Sequence, residues 1–424
     1  MWNICEVDAL NLGKPSFGIN TGIGFFNHML DQFYSHAQVG VAVTVVSEDE
    51  KKDDINRFGS LSGKEQMDLS LEVGMALGRV WKDKILLDVS KSSKSVFSCP
   101  LDEALVTCTL SFTTEGGAAD VQLKPYGSHP VTTGRTQIGQ WKTCAVESFF
   151  QGLANTSGLS VSLQKVRGDN AHHIVESAFK ACARALRNLL DHTTCDEEEG
   201  ATNNLTFLQR ASTNRIAQVQ RNTKETVIDL TLDLDSTPSY TTDNNNNNNN
   251  HATISSGLNT LDQFLQTLCE HAGFSLSLIC KGDTYVDEHH SVEDVCIALG
   301  QCLHRSLGSK AGLVRMWSAQ DQDILAVLDL SNRPCLIQNV SFGSDDVEYV
   351  GDVSIEMLYH ALESFTMNSH VTLHLVDKNT NKDKDGMTTL MEIAKAVGKT
   401  LKFCTSQDIR RGGKTASSKG TLSA

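Results

Sequence analysis

No two cysteines in this chain are spaced Cys-x-x-Cys, although it holds 12 of them, so the usual paired-thiol motif is missing. No apolar run is long enough to span a bilayer. The opening MWNICEVDALNLG has no basic stretch followed by an apolar one, so a secretory signal is not expected. Basic residues are outnumbered, 37 against 51 acidic, for a net charge of −14. Such a surface argues against nucleic acid as the main partner, and membrane is not expected either. A local basic pocket for a small anion remains compatible with it. Scattered thiols without these signals point to a reducing, cytoplasmic compartment, or to a plastid should a leader precede this sequence. Cys182, Cys296 and Cys302 sit in apolar segments, where cysteine behaves as a small hydrophobe.

What is present is the makeup of a globular protein. The 424 residues are 40% hydrophobic and 21% charged, enough for two to four domains with a buried core. Seven consecutive asparagines, 244–250, cannot build a core and read as a solvated loop. ETVIDLTLDLD before them alternates like a half-buried strand, and LNTLDQFLQTLCEHAG after them has helical spacing.

The strongest signal is an internal repeat. TGIGFFNHMLDQFYSHAQVGVAV aligns with SSGLNTLDQFLQTLCEHAGFSLSL, and LEVGMALGRV with EDVCIALGQC. LVTCTLSF aligns with ILAVLDLSNRP, and VESFFQGLANTSGLSVSL with IEMLYHALESFTMNSHVTLHL. The order is kept, so the chain is a tandem duplication. Copy one spans 1–215, and copy two spans 216–424 with an asparagine-rich insert at 243–250. A second symmetry lies within it. AHHIVESAFKACARAL and EHHSVEDVCIALGQCL share two adjacent histidines, a glutamate and an apolar helix. Each copy is therefore expected to be two half-repeats of strands and helices, with sheets covered on one face by helices.

On a helix, His289 and Glu293 share a face, as do His290 and Glu293. His172, His173 and Glu176 repeat the spacing. One such motif is commonly a polar helix start. Two within a duplicated chain favour a divalent transition metal, which imidazole and carboxylate suit.

GDTYVDEHHSVEDVCIALGQCLHRSLG and GDNAHHIVESAFKACARALR resemble the two metal motifs of the imidazoleglycerol-phosphate dehydratase family. TGIGFFNHMLDQFYSH, CPLDEAL, LDLSNRP and the terminal ASSKG also fit its pattern, and the resemblance covers nearly the whole chain, twice. It implies an α+β fold, with each copy two half-repeats of a mixed β-sheet covered by helices (ribosomal protein S5 domain 2-like). It implies a hydro-lyase of histidine biosynthesis that converts imidazole glycerol phosphate to imidazole acetol phosphate. It also implies two Mn2+ per site, and a homo-oligomer of about 12 chains if each copy fills one place in a shell of about 24.

The departures from that pattern sort by copy. Copy one keeps the family's early metal histidine as His28 and the second motif as His172, His173 and Glu176. Met67, Asp68 and Leu71 replace its first motif, and Ser162 its strand histidine. Copy two keeps His289, His290, Glu293 and the strand histidine His374. Gln263 replaces its early histidine, and Met387, Thr388 and Met391 its second motif. The resemblance implies six histidines and two glutamates, and the copies together supply that set once. Such sorting points to one composite site built from both copies.

Substrate-binding positions implied by the resemblance divide too. Gln32 and Lys180 belong to copy one, while Arg315, Arg333, Ser417 and Lys419 belong to copy two. Copy one has Thr113 at the place of Arg333 and Asn214 at that of Lys419, and copy two has Thr267 at that of Gln32. Arginines, a lysine and a hydroxyl suit a phosphate monoester. Glu225 and Glu176 are the candidates for proton transfer. His36 and His271, kept in both copies, are expected to be structural. The alternative to an active enzyme is a structural or regulatory descendant that has lost catalysis.

Overall fold

The computed structural model describes residues 3–10 (backbone only), 18–46, 57–90, 93–112, 117–191, 208–209, 215–236, 253–344, 346–379 and 384–422. The asparagine-rich insert, Thr113 and Asn214 lie outside them. The chain forms two compact units, Met1–Phe207 with Ile409–Thr421, and Leu208–Asp408 with Leu422–Ala424.

The first unit opens with β1 (Asn3–Leu10), β2 (Ile19–Asn20), α1 (Gly24–Gln32), β3 (Gly40–Val46) and α2 (Gly63–Lys84), whose strands form a sheet in the order β1-β3-β2. Its second half runs β4 (Lys94–Leu101), β5 (Ala104–Phe112), β6 (Ala119–Gln122), α3 (Cys144–Ser157), β7 (Leu159–Arg167) and α4 (Ala171–Leu190), with sheet order β4-β5-β7-β6. The second unit repeats this design. Its first half is β8 (Ile216–Asn222), β9 (Thr226–Asp233), β10 (Ile254–Ser255), α5 (Asn259–Ala272), β11 (Ser275–Gly282) and α6 (His289–Leu307), ordered β8-β9-β11-β10. Its second half is β12 (Met316–Asp321), β13 (Ile324–Asp329), β14 (Cys335–Gln338), α7 (Ile355–Ser369), β15 (Thr372–Asp377) and α8 (Gly386–Cys404), ordered β12-β13-β15-β14. The expected duplicated α+β fold with half-repeats is what the chain forms. In every half, the short strand before the first helix pairs in parallel with the strand after it, and the other ladders are antiparallel.

Local sequence explains the elements. In β9, Thr226, Ile228, Leu230 and Leu232 are buried while Val227 and Asp229 face out, the period-2 pattern of a sheet covered on one side. Ser62 and Glu65 close a reciprocal capping box that starts α2. α2 and α3 approach until backbones touch: a Cβ at Gly74 would lie 2.2 Å from the Phe149 carbonyl oxygen. α6 and α7 do the same at Gly300, where a Cβ would lie 2.8 Å from the Phe365 oxygen. The first core is aromatic. Phe26 stacks on Trp141 at 4.5 Å and Phe149 on Phe179 at 5.2 Å, each pair worth about 1 kcal/mol beyond burial. The second core is built from leucines such as Leu230, Leu265, Leu278, Leu299, Leu328 and Leu375. The described cysteines are free, and Cys182, Cys296 and Cys302 are buried. No helix among the described residues is long and apolar enough to cross a membrane.

Candidate functional site

In the first unit the site grows from the start of α4. Asn170 caps the helix, and its side-chain oxygen accepts the N–H groups of His172 at 2.9 Å and His173 at 3.4 Å. That fixes the first turn and stacks His172 under Glu176, with Nε2 3.0 Å from Oε2. α1 brings His28 to the same oxygen, at 3.8 Å. Lys180, one turn on, holds Oε1 at 2.8 Å. Burial pushes the Glu176 carboxyl upward, but the Lys180 ammonium, His172 and His28 outweigh it and hold it well below the usual carboxylate range. Phe25 packs edge-on against His172 at 5.0 Å. One ligand atom each from His28, His172 and Glu176 lies within 4.8 Å of the others, and this borderline nitrogen-oxygen donor set fits a divalent transition metal.

His173 faces elsewhere. Its Nδ1 lies 2.8 Å from Glu103 Oε2, and its Nε2 3.8 Å from Asp102. Glu103 also accepts the Asn170 N–H at 2.9 Å. Burial raises the Glu103 carboxyl, yet its bond to His173 and the backbone bonds bring it below the usual value. A carboxylate on one ring nitrogen fixes the tautomer and leaves the other nitrogen for a metal.

In the second unit the corresponding site is the start of α6. His289 Nε2 lies 3.6 Å from Glu293 Oε2. His290 Nδ1 lies 3.2 Å from Asp283, and its Nε2 3.8 Å from Glu225. The bond to Asp283 raises the pKa of His290. Glu225 is exposed on the turn joining β8 to β9, its carbonyl accepting the Asp283 N–H at 3.1 Å. His374 is fully buried in β15, paired with Val327 and Ile337, and does not join the group at His289 and Glu293. Ser162 holds the matching register in β7, between Thr109 and Asp120.

The positions that lack the motif histidines and glutamates are filled by other chemistry. Met67 and Asp68 are exposed on α2 with Leu71 half-buried, and Gln263 is exposed on α5. On α8, Thr388 bonds the Asp385 cap, while Met387 and Met391 pack against the apolar core. Thr267 donates to the Met391 sulfur at 3.5 Å, so a hydroxyl–thioether contact stands where copy one places Gln32 and Glu176. The Lys384 ammonium sits between Asp323, at 3.0 Å, and Glu392.

The substrate candidates fall in separate places. Gln32 is buried, donating to the His28 carbonyl at 3.1 Å. Arg315 is buried and spends Nε and Nη2 on Asp329, at 2.7 and 2.8 Å. Arg333 lies in the turn after β13, its N–H bonded to Ser331. Ser417 and Lys419 lie in the segment belonging to the first unit. Ser417 lines an open groove of about 700 Å³ with Asp31, Tyr34, Arg410 and Lys414, and accepts the Lys419 N–H at 3.2 Å. His36 is fully buried, and His271 Nδ1 lies 2.9 Å from the Thr267 carbonyl.

Sequence reasoning missed four residues. Glu103 was visible only as part of CPLDEAL. Lys384 and His360 belong to no motif. The fourth is Lys310, whose buried ammonium donates to Asn332 at 2.5 Å. Burial pushes Lys310 down to about 8 although Asp329 opposes this.

These features define a duplicated α+β protein with a candidate metal-ligand group at one helix start in each unit. The sequence profile of the family described as "Imidazoleglycerol-phosphate dehydratase" matches residues 21–186 and again 256–401. The chain belongs to the imidazoleglycerol-phosphate dehydratase family. The Neurospora crassa imidazoleglycerol-phosphate dehydratase is 36% identical over 226 residues, covering 49% of this chain and 96% of that one. The Nitrosomonas europaea enzyme is 35% identical over 212 residues, covering 49% and 98%. Each relative thus spans about half of this chain. The crystal structure of the Staphylococcus aureus dehydratase aligns at 25% identity, with a TM-score of 0.36, over 45% of this chain and 97% of that one.

Proposed function

We propose that this chain dehydrates imidazole glycerol phosphate to imidazole acetol phosphate, in histidine biosynthesis, at a composite site that needs ligands from both copies. The observation that carries this reading is the partition of the ligands. His28, His172, His173 and Glu176 survive only in copy one, and His289, His290 and Glu293 only in copy two, while His374 is buried in β15 and does not join their group. Decay of a spare copy would not be expected to leave a different motif of two histidines and a glutamate intact in each copy. The grouping of His28, His172 and Glu176 within 4.8 Å supports the copy-one half.

Two Mn2+ ions per composite site are the proposed cofactor, and a bound divalent ion would polarise the substrate imidazole and favour loss of its neighbouring C–H proton. The protein's own groups do the rest. Both oxygens of Glu176 are engaged, by Lys180 and by the histidines, so it acts as a ligand and charge anchor. Glu225 is exposed, with one oxygen 3.8 Å from His290, and is the group free to carry a proton between carbon and leaving hydroxyl. Arg333, Ser417 and Lys419 bind the phosphate, Gln32 and Lys180 support the ligand helix, and Arg315 positions its neighbourhood through Asp329. A homo-oligomer of about 12 chains follows if each copy fills one place in the family's shell.

The test is turnover of imidazole glycerol phosphate by the purified chain with added Mn2+, read as formation of imidazole acetol phosphate. A pure, folded chain that binds Mn2+ without turnover would overturn the assignment of substrate. One that binds no metal would point to the inactive descendant.

A further inference from the structure

Asp294 lies on α6 one turn after His290, and it is buried. Its Oδ1 pairs with Arg221 Nη2 at 2.7 Å, and its Oδ2 accepts the Thr226 hydroxyl at 2.5 Å. With that proton committed, the 3.1 Å bond between the two threonine hydroxyls runs from Thr223 to Thr226. The Thr223 oxygen then accepts the N–H groups of Glu225, at 3.1 Å, and Thr226, at 2.8 Å. This chain of bonds ends on the residue whose carboxylate lies 3.8 Å from His290 Nε2. We propose that Asp294 is a positioning residue: through the hydroxyls of Thr226 and Thr223 it fixes the turn that holds Glu225 beside His290. This rests on the reading of Glu225 as the proton-transfer group.

The directions of the bonds call for an acceptor at 294. Backbone amides only donate, so each hydroxyl passes its proton away from the turn, and the Asp294 carboxylate takes the last one. Buried chains of this kind polarise one another, and a missing link leaves a desolvated group unpaired. The backbone brings the pieces together. Thr226 and Gly282 are partners across β9 and β11, and a Cβ at Gly282 would lie 2.0 Å from Ser291 Oγ. The strand ends therefore abut the first turn of α6. The Glu225 carbonyl also accepts the Asp283 N–H at 3.1 Å, and the Asp283 carboxylate holds His290 Nδ1 at 3.2 Å. The turn is thus tied to α6 twice, through Asp294 and through Asp283. The competing account is an ion pair with Arg221 that only fastens β8 to α6. It gives no part to the Thr226 hydroxyl or to Glu225.

The experiment uses the full chain with Mn2+ and imidazole glycerol phosphate. Thr226→Val keeps the pair between Arg221 and Asp294 but removes the hydroxyl link. Its kcat should fall at least about tenfold, with KM and bound Mn2+ at parental values. Thr226→Ser, which keeps the hydroxyl, should keep kcat. In a Glu225→Gln background Thr226→Val should cost nothing further, because its effect passes through that carboxylate. Parental kcat in Thr226→Val, or the same fractional loss with and without Glu225, would overturn the inference. A second readout needs no turnover. Hydrogen exchange followed by mass spectrometry should quicken at least about tenfold in a peptide covering the turn, in both Thr226→Val and Asp294→Asn, with the later turns of α6 unchanged. Parental exchange in that peptide, or equal quickening along all of α6, would overturn the inference even if the parent is inactive. Parental kcat in Glu225→Gln would instead remove the proton-transfer reading, and exchange alone would then decide whether Asp294 fixes the turn.

Discussion

Arg410 Nη1 donates to both carboxylate oxygens of Asp191, at 2.9 and 3.0 Å, across 219 residues of sequence. Arg187 holds the same carboxylate from within α4, at 2.6 Å. Asp191 thus anchors the segment carrying Ser417 and Lys419 to the end of α4, whose first turn holds His172. Asp191→Ala leaves two guanidinium groups in a largely buried place without their shared anion. Stability of the first unit should fall by about 3 kcal/mol in urea denaturation. Arg410→Ala should cost less stability and raise KM, because it loosens only the segment. An unchanged KM would separate that segment from the substrate.

His173→Ala and His290→Ala lie in different copies, yet each should abolish turnover if the ligand halves act together. Assemblies formed from the two variants mixed should regain a fraction of activity if sites form between chains, and none if they form within one. Full activity in either variant would contradict a composite site.

Glu103→Gln should weaken metal binding or kcat/KM by about ten- to a hundredfold, because the carboxylate holds the His173 ring through Nδ1 at 2.8 Å. Binding of Mn2+ at parental strength together with parental kcat/KM would remove Glu103 from that role.

Arg333→Ala or Lys419→Ala should raise KM by about ten- to a hundredfold, the worth of one charge-assisted bond to phosphate, with metal content unchanged. Loss of metal in these variants would show that they sit elsewhere in the site.

The second unit should lose stability as pH falls. His304 is held below its ordinary 6.5, first by burial, then by His370, Lys310 and Arg305, while a bond to the Ser369 backbone opposes this. His370 stacks on it at 4.4 Å. The unfolded chain therefore binds a proton more readily than the folded one. The contribution is present above about 6.5 and is lost as pH drops through the lower folded value. Urea midpoints compared between about pH 7.5 and about pH 5 should fall less for His304→Gln than for the parent.

Much of the fold was legible because its signals are local. The alternation in ETVIDLTLDLD is β9, and the helical spacing of LNTLDQFLQTLCEHAG is α5. The pair at His172 and Glu176 follows from helical periodicity alone, once Asn170 caps the turn. His173 was different. Its distance from Glu176 in sequence suggested one shared face, but the side chain turns to Glu103, a partner 70 residues away. His360 carried no motif, since nothing in IEMLYHALE marks that histidine apart from its neighbours.

Sequence by itself determined the duplication, the half-repeats, the family and the sorting of the motif histidines and glutamates between copies, because aligned repeats and residue identity need no coordinates. Tertiary structure decided which side chains meet. His28 reaches Glu176 only because α1 packs beside α4, and His360 reaches Glu293 only because α6 and α7 touch at Gly300. It also decided that Ile409–Thr421 clusters with the first unit, through Arg410 and Asp191. Helix packing and long-range ion pairs depend on shape and charge assembled from distant segments, and no local pattern in the chain encodes them.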